Sequence, residues 1–346
     1  MKLLSRLFLS AAVLSSGGCA TDSLAKARPE AHPGERAFVK ELVADAKAAD
    51  VRLDQRSVEQ ALAQARYQQT IIDAISRPAE KTKPWREYRP IFLGDKRIAD
   101  GIAFYRENAE LLEKIAKDYG VPPELIVAII GVETNYGRIT GKYKVLDALV
   151  TLAFYYPPRA EFFRKELKQL FLLPRDLLPY KVEEISGSYA GAMGWGQFMP
   201  TSVAQWAKSG DDDAHIDLWT SKADIFASIA NYFVAHGWET GEPVASPANR
   251  AVDARTLEPA GYEPVYSVGQ LADWGYRTPA EGDPNKAATL LKLDGAQGDE
   301  YWITHQNFWV ITRYNRSPMY SLAVYQLAES IAAGASPAVA APSAAR

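Results

Sequence analysis

The run Leu125-Ile126-Val127-Ala128-Ile129-Ile130-Gly131-Val132 carries no polar side chain, and it ends directly on Glu133. Such a run has to be buried, and its flanks say how. Pro122 and Pro123 suit a first helical turn, and Gly137 suits a stop after Thr134-Asn135-Tyr136. The segment therefore predicts a helix. At helical spacing Ile126, Ile130 and Glu133 share one face, which points the carboxyl toward apolar surroundings. Burial disfavours the charged form and raises a carboxyl pKa, as a general acid near neutral pH requires. The plainer alternative is a Glu at a frayed helix end that reaches solvent, since buried carboxyls are uncommon.

The rest of the chain sets the frame for that helix. Its 346 residues suffice for two domains or one large lobed body, and 47% hydrophobic residues allow a sizeable core. A net charge of −3, with both signs interspersed, argues against a nucleic-acid binder of the basic-patch kind. Eight Trp and eighteen Tyr are many. They fill cores and interfaces, and their flat faces also line grooves that bind sugars.

The N-terminus reads as a targeting segment. Lys2 and Arg6 precede an apolar stretch, Leu7 to Leu14, that is too short to span a bilayer. Ser15-Ser16-Gly17-Gly18 then leads into Cys19, the only Cys, so no internal disulfide can form. Small residues before a Cys suggest a bacterial lipoprotein signal over 1–19 with lipidation at Cys19. Leu14 lies further from Cys19 than the usual lipobox leucine, and an ordinary secretory signal is the alternative. Either way the protein leaves the cytoplasm. Ala20 after the Cys favours the outer membrane, facing the periplasm.

Residues 20–34 are polar and Pro-containing, a tether. Helical patterns cover 35–50 and 57–75, the second with Val58, Leu62, Ala65 and Ile72 on one face and Pro78 as its stop. Pro84-Trp85 and Arg89-Pro90 mark a loop. Residues 95–119 predict one long amphipathic helix with Ile98, Ile102, Tyr105, Leu112 and Ile115 inward. Further helices are predicted at 145–155, 159–173, 222–236 and 318–332. Between 240 and 305 the texture shifts to Pro, Gly and Thr, with short β-prone pieces such as Val265 to Val268 and Tyr301 to Thr304. The Ala, Pro and Ser tail over 333–346 predicts disorder. The fold class is mainly α (α+β), with 240–305 as a small β-containing insertion and 306–332 as the return to the body.

A second cluster runs Gly187-Ser188-Tyr189-Ala190-Gly191-Ala192-Met193-Gly194-Trp195-Gly196-Gln197-Phe198-Met199-Pro200. Its glycines let backbone approach either another helix or a ligand, and a tight structural turn explains them equally well. Gln197 can donate and accept hydrogen bonds toward hydroxyls and amides. The histidines at 32, 215, 236 and 305 are too scattered for a zinc motif. Asp147 is the one other carboxylate worth weighing, and its place inside a helix favours a structural role.

Taken in order, Gly131 to Gly137, Leu146-Asp147-Ala148-Leu149, Tyr156-Pro157-Pro158-Arg159-Ala160, Gly191 to Pro200, Ala230-Asn231-Tyr232-Phe233 and Gln306 to Asn315 resemble the membrane-bound lytic murein transglycosylase B family. The resemblance runs from about residue 36 to about residue 330. It implies a lysozyme-like catalytic core within 35–239, a flanking helical region and a small β region. It also implies cleavage of the β-1,4 bond between N-acetylmuramic acid and N-acetylglucosamine in peptidoglycan, without water, leaving a 1,6-anhydromuramic end. Glu133 falls on the family's catalytic Glu. Ser188, Gln197, Tyr232, Tyr314 and Asn315 fall on positions that line the saccharide groove.

The resemblance further aligns 209–224 with an EF-hand-like metal site, where Asp211, Asp213, the His215 carbonyl and Asp224 would hold a structural Ca2+. Ser209 stands where a first-position Asp is usual, Ala214 replaces the turn Gly, and Thr220 stands where an ordinary EF-hand has its bidentate Glu. An acidic solvated loop before a helix is the alternative. No cofactor is required for the reaction. The expected partners are peptidoglycan glycan strands and the outer membrane through the lipid anchor, with cell-wall synthesis proteins as further candidates and no nucleic acid. Two rivals stand beside the transglycosylase: a hydrolytic muramidase on the same core, and a non-catalytic peptidoglycan-binding lipoprotein.

Overall fold

The computed structural model describes residues 32–76, 83–174, 177–211, 213, 215–279 and 282–335. Cys19, the rest of the expected signal, nearly all of the tether, Pro78 and the tail from 336 lie outside these described residues. The chain divides into two compact units, Met1–Thr82 with Glu133–Ala235, and Lys83–Val132 with His236–Arg346.

In chain order, α1 (Gly34–Ala48) packs on α2 (Gln55–Gln64). Phe38, Leu42 and Ala46 of the first and Val58, Ala61 and Leu62 of the second are buried. Asp54 caps α2, its carboxylate accepting from the Arg56 and Ser57 N–H groups at 3.3 and 3.1 Å. The single helix expected over 57–75 is broken: α3 (Gln69–Ile75) starts anew after an extended stretch. The break survives because its freed donors find partners. Arg66 N–H donates to Asp147 Oδ1 at 2.9 Å, Gln68 N–H to Thr151 Oγ1 at 3.2 Å, and Gln68 Nε2 to Asp147 Oδ2 at 3.0 Å. The break also shifts the helical phase, so Ile71 rather than Ile72 is fully buried.

The expected loop at 84–90 is instead α4 (Trp85–Phe92), with Pro90 inside it. Pro90 removes one helical hydrogen bond, but Trp85, Tyr88 and Phe92 are all buried, and their burial holds the turn. The long helix expected over 95–119 is two, α5 (Asp95–Glu107) and α6 (Ala109–Tyr119). Asn108 makes the break by turning its side chain back to donate to the Phe104 carbonyl at 2.7 Å. Leu112 and Ile115 point inward as the spacing predicts. In α5, however, Gly101 and Phe104 are buried while Ile98, Ile102 and Tyr105 are half-buried. The run around Ile130 forms α7 (Pro123–Thr134).

A two-residue strand β1 (Tyr143–Lys144) leads into α8 (Val145–Tyr155), buried along its length up to Phe154. Pro157-Pro158 form a short 3-10 turn before α9 (Ala160–Leu172). Then come β2 (Ser186–Gly187), antiparallel to β1, α10 (Pro200–Trp206) and α11 (Lys222–Ala235). In the first unit α8 packs on α3 and α9, α9 on α10, and α10 on α11.

The second unit holds a five-stranded antiparallel sheet. Its strands are β3 (Ala245–Arg250), β4 (Tyr266–Ser267), β5 (Tyr276–Arg277), β6 (Ala287–Gly295) and β7 (Gly298–Thr304), in the order β4-β6-β7-β3-β5. The β-prone piece at Val265 to Val268 is a strand for two residues only. Ser267 then caps α12 (Val268–Asp273) through a full capping box with Gln270. Leu271, Tyr276, Ala288, Leu290 and Ile303 form the core of this region. Two helices complete the unit, α13 (Gln306–Tyr314) and α14 (Pro318–Ala335), and α14 packs against α4, α5 and α13. No helix among the described residues is long and apolar enough to cross a membrane.

Candidate active site

The helix α7 is buried on all sides from Leu125 to Ile130, rather than amphipathic. Glu133 is the half-buried residue where that helix ends. The end is pinned. Arg97 donates to the Gly131 carbonyl, one of the four that an α-helix leaves open at its C-terminus. Ile139 N–H donates to the Thr134 carbonyl at 2.9 Å. The Thr134 hydroxyl donates to the Trp195 carbonyl at 3.1 Å and accepts from Gly137 N–H at 3.1 Å.

The turn after the helix is strained. Asn135, Tyr136 and Gly137 lie in succession in the left-handed region, at φ 51°, 61° and 79°. Only the last is a glycine, and a left-handed residue with a side chain costs on the order of 1–2 kcal/mol. A Cβ on Gly137 would stand 2.4 Å from Cε2 of Trp195, so the indole lies directly on the backbone there. The glycine is required at this position both for its φ and for this close approach.

Trp195 belongs to the Gly-rich segment, which folds into a tight, self-bonded loop. Ser188 N–H donates to the Ala192 carbonyl at 2.9 Å, and Met193 and Phe198 exchange backbone hydrogen bonds of 2.9 Å. The Ser188 hydroxyl accepts from Ala192 N–H at 3.0 Å and from Ala190 N–H at 3.3 Å. Gln197 holds φ 52° and sends its Nε2 to the Gly194 and Thr140 carbonyls at 2.9 and 3.2 Å. Its amide donors thus brace the loop against the stretch after α7, while Oε1 is the amide's accepting end.

Tyr232, on α11, is buried with its ring 5.8 Å from that of Phe198 and 4.8 Å from that of Trp206. In the first unit the segments that carry Glu133, Ser188, Gln197 and Tyr232 are therefore joined through three short links: Thr134 to Trp195, Gln197 to Thr140, and Phe198 to Tyr232. Tyr314 and Asn315 belong to the second unit, at the end of α13. Asn315 is buried, and its Oδ1 accepts from Ser317 N–H at 3.0 Å.

Among the described residues of the first unit four carboxylates are buried, and each accepts from backbone. Glu35 accepts from His32 N–H at 2.9 Å and Asp147 from Arg66 N–H. Glu166 takes Thr201 N–H and its hydroxyl at 2.9 and 2.7 Å. Burial pushes the Glu166 carboxyl pKa up, against the lowering pull of those two bonds. Sequence reasoning missed Glu166; its spacing within α9 matches the apolar Phe163, Leu167 and Leu170 face, which was the available signal.

Asp224 is the fourth. Its two oxygens accept from Gly210 N–H at 2.8 Å and Asp217 N–H at 2.7 Å, so it clasps both ends of the acidic loop, and burial raises its pKa. The other expected donors are turned to their own loop. Asp211 accepts from the Ser209 hydroxyl at 3.1 Å, and Asp213 from His215 N–H at 2.7 Å. Among the described residues no three or more His, Cys, Asp or Glu come together as a metal-holding group.

Residues 34–329 match the family described as Transglycosylase SLT domain. Membrane-bound lytic murein transglycosylase B of Escherichia coli (strain K12) is 40% identical over 288 residues, which are 81% of this chain and 78% of that one. The structure of catenated lytic transglycosylase SltB1 from Pseudomonas aeruginosa superposes with a TM-score of 0.80 at 46% identity, covering 87% of this chain and 97% of that chain. The Escherichia coli lytic transglycosylase Slt35 in complex with calcium gives 0.78 at 38% identity, covering 88% and 94%. The mainly α fold with a lysozyme-like core, expected from the motifs, is the fold observed. With a family match that runs from residue 34 to residue 329, nearly all the described residues, this chain belongs to the transglycosylase SLT domain family.

Proposed function

We propose that the protein is a lytic transglycosylase of peptidoglycan that cuts the β-1,4 bond between N-acetylmuramic acid and N-acetylglucosamine and leaves a 1,6-anhydromuramic end. The observation that supports the assignment of Glu133 is its place: it stands half-buried at the end of a core helix, next to Thr134, whose hydroxyl ties that end to Trp195 of the Gly-rich loop. Ordinary glycosidases use two carboxylates. One suffices here if water is not the nucleophile. Glu133, protonated, gives its proton to the leaving glycosidic oxygen. As carboxylate it then takes the proton of the muramic C6 hydroxyl, whose oxygen closes on C1. The proton count balances and the Glu is restored. The substrate's own N-acetyl group stabilises the positive charge at C1. Acid–base catalysis of this kind supplies roughly 10²–10⁴ in rate, and positioning of the strand supplies much of the remainder.

Positioning falls to Ser188, Gln197, Tyr232, Tyr314 and Asn315. The Gln197 Oε1 accepts from a sugar hydroxyl or amide, and the Ser188 hydroxyl, already accepting twice, donates its own hydrogen. Tyr232 and Tyr314 contact the strand near the scissile bond, and Asn315 holds the N-acetyl group. No metal takes part in this chemistry. The 209–224 loop takes calcium as a structural ion through Asp211, Asp213, the His215 carbonyl and Asp224, in line with the calcium complex of Slt35. The cation has to compete with the loop's own hydrogen bonds, so the dissociation constant falls on the order of 10⁻⁴–10⁻³ M. Lipidation at Cys19 holds the enzyme at the outer membrane, facing the periplasm; a Cys19→Ser variant released from membranes tests it. Glu133→Gln, assayed on purified sacculi with mass spectrometry of the products, tests the enzymatic reading. Reducing ends, heavier by one water, would instead identify a muramidase, and binding without release a non-catalytic lipoprotein.

A further inference from the structure

Two aromatic rings beside the Gly-rich loop are not used by the mechanism. Tyr180 is 39% exposed, one of few large apolar side chains so placed among the described residues. Its ring lies 5.1 Å from the half-buried Trp219 ring at 84°, so the pair forms a corner. The Trp219 side is held rigidly. Its backbone N–H donates to Asp217 Oδ1 at 2.8 Å, and Asp217 N–H is itself held by Asp224. Its indole N–H donates to the Ser186 carbonyl at 3.4 Å. Ser186 is two residues before Ser188, and the neighbouring Leu218 carbonyl accepts from Trp195 N–H at 2.9 Å. The corner is thus tied at two points to the loop that carries Ser188 and Gln197. A glycan is a polymer, so a groove that holds it extends past the scissile bond. An exposed aromatic face braced by hydrogen bonds suits the apolar face of a pyranose ring.

We propose that Tyr180 and Trp219 form an additional saccharide subsite, a platform for a sugar ring of the strand away from the scissile bond, which gives long strands an affinity advantage over short ones. The inference rests on the glycan-cleaving reading above. The test uses glycan strands, long and short, each with and without stem peptides, and the full-length protein with its Tyr180→Ala and Trp219→Phe variants. Affinity is read by affinity electrophoresis and products by mass spectrometry. Tyr180→Ala removes an exposed ring, and Trp219→Phe keeps an aromatic filler, so both are expected to fold, with melting temperature as the check. The ratio of long-strand to short-strand affinity falls about three- to tenfold in Tyr180→Ala, and KM for long strands rises with it while kcat does not fall. An unchanged ratio in both variants overturns the platform. So does a loss seen only with strands that carry stem peptides, which would assign the corner to the peptide. Failure of the glycan-cleaving reading shows separately, as absence of anhydro ends with the wild-type protein.

Discussion

Thr134 shows how one hydroxyl sets the geometry next to Glu133. It is almost wholly buried and joins the α7 end to both Trp195 and Gly137. Thr134→Val keeps the shape and removes both bonds, so the Gly137 N–H and the Trp195 carbonyl each lose a partner. The expected loss is about 1–3 kcal/mol of stability in denaturant titration, with kcat falling more than KM changes. Glu166 gives a pH signature instead. Its folded-state pKa is raised by burial, so the folded state binds its proton more tightly than the unfolded chain does. Its contribution to stability therefore falls as pH rises from the ordinary value of 4.5 through the raised one. Glu166→Gln can still accept from Thr201 N–H while donating to its hydroxyl. The melting temperature of the variant relative to wild type is expected to rise across that window; a difference that stays flat with pH contradicts the raised pKa.

At the scale of elements, the junction of α7 with the Gly-rich loop is where backbone strain concentrates, at Asn135, Tyr136 and Gln197. Gly137→Ala adds a methyl into the Trp195 indole and forces an alanine into the left-handed region. The loop has to shift, and we expect a loss of about 2–4 kcal/mol, a changed Trp fluorescence and a collapse of turnover. The same region was the most legible in the sequence. The apolar run, its prolines and Gly137 define α7, and the glycine spacing defines the loop that meets it. The breaks at Ala65–Gln68 and Asn108 were not legible, because side-chain bonds decide them, from Asp147 and Thr151 in one case and from Asn108 itself in the other. Periodicity alone does not register such bonds. Nor does it show that Pro90 sits inside a helix, since the buried aromatics around it outweigh the lost bond.

For the molecule as a whole, the motifs in order identify the family, while spacing does not show that the chain divides into two compact units. Glu133, Ser188, Gln197 and Tyr232 lie in one unit, and Tyr314 and Asn315 in the other. The proposed calcium site is tested at this scale, because a ligand that binds the folded state stabilises it. With a dissociation constant on the order of 10⁻⁴–10⁻³ M, millimolar calcium is expected to raise the melting temperature, and Asp213→Ala to abolish the rise. No rise at those concentrations contradicts a site in the 209–224 loop.

In the proposed mechanism Glu133, alone among the carboxylates, works as acid and then as base on a strand whose own C6 hydroxyl replaces water. Digestion of purified sacculi by the wild-type and Glu133→Gln proteins, with mass spectrometry of the released fragments, tests it most directly. Anhydromuramic ends are expected from the wild type, and no released fragments from a variant that stays folded and still binds sacculi. Reducing ends from the wild type, or undiminished release by Glu133→Gln, would contradict it.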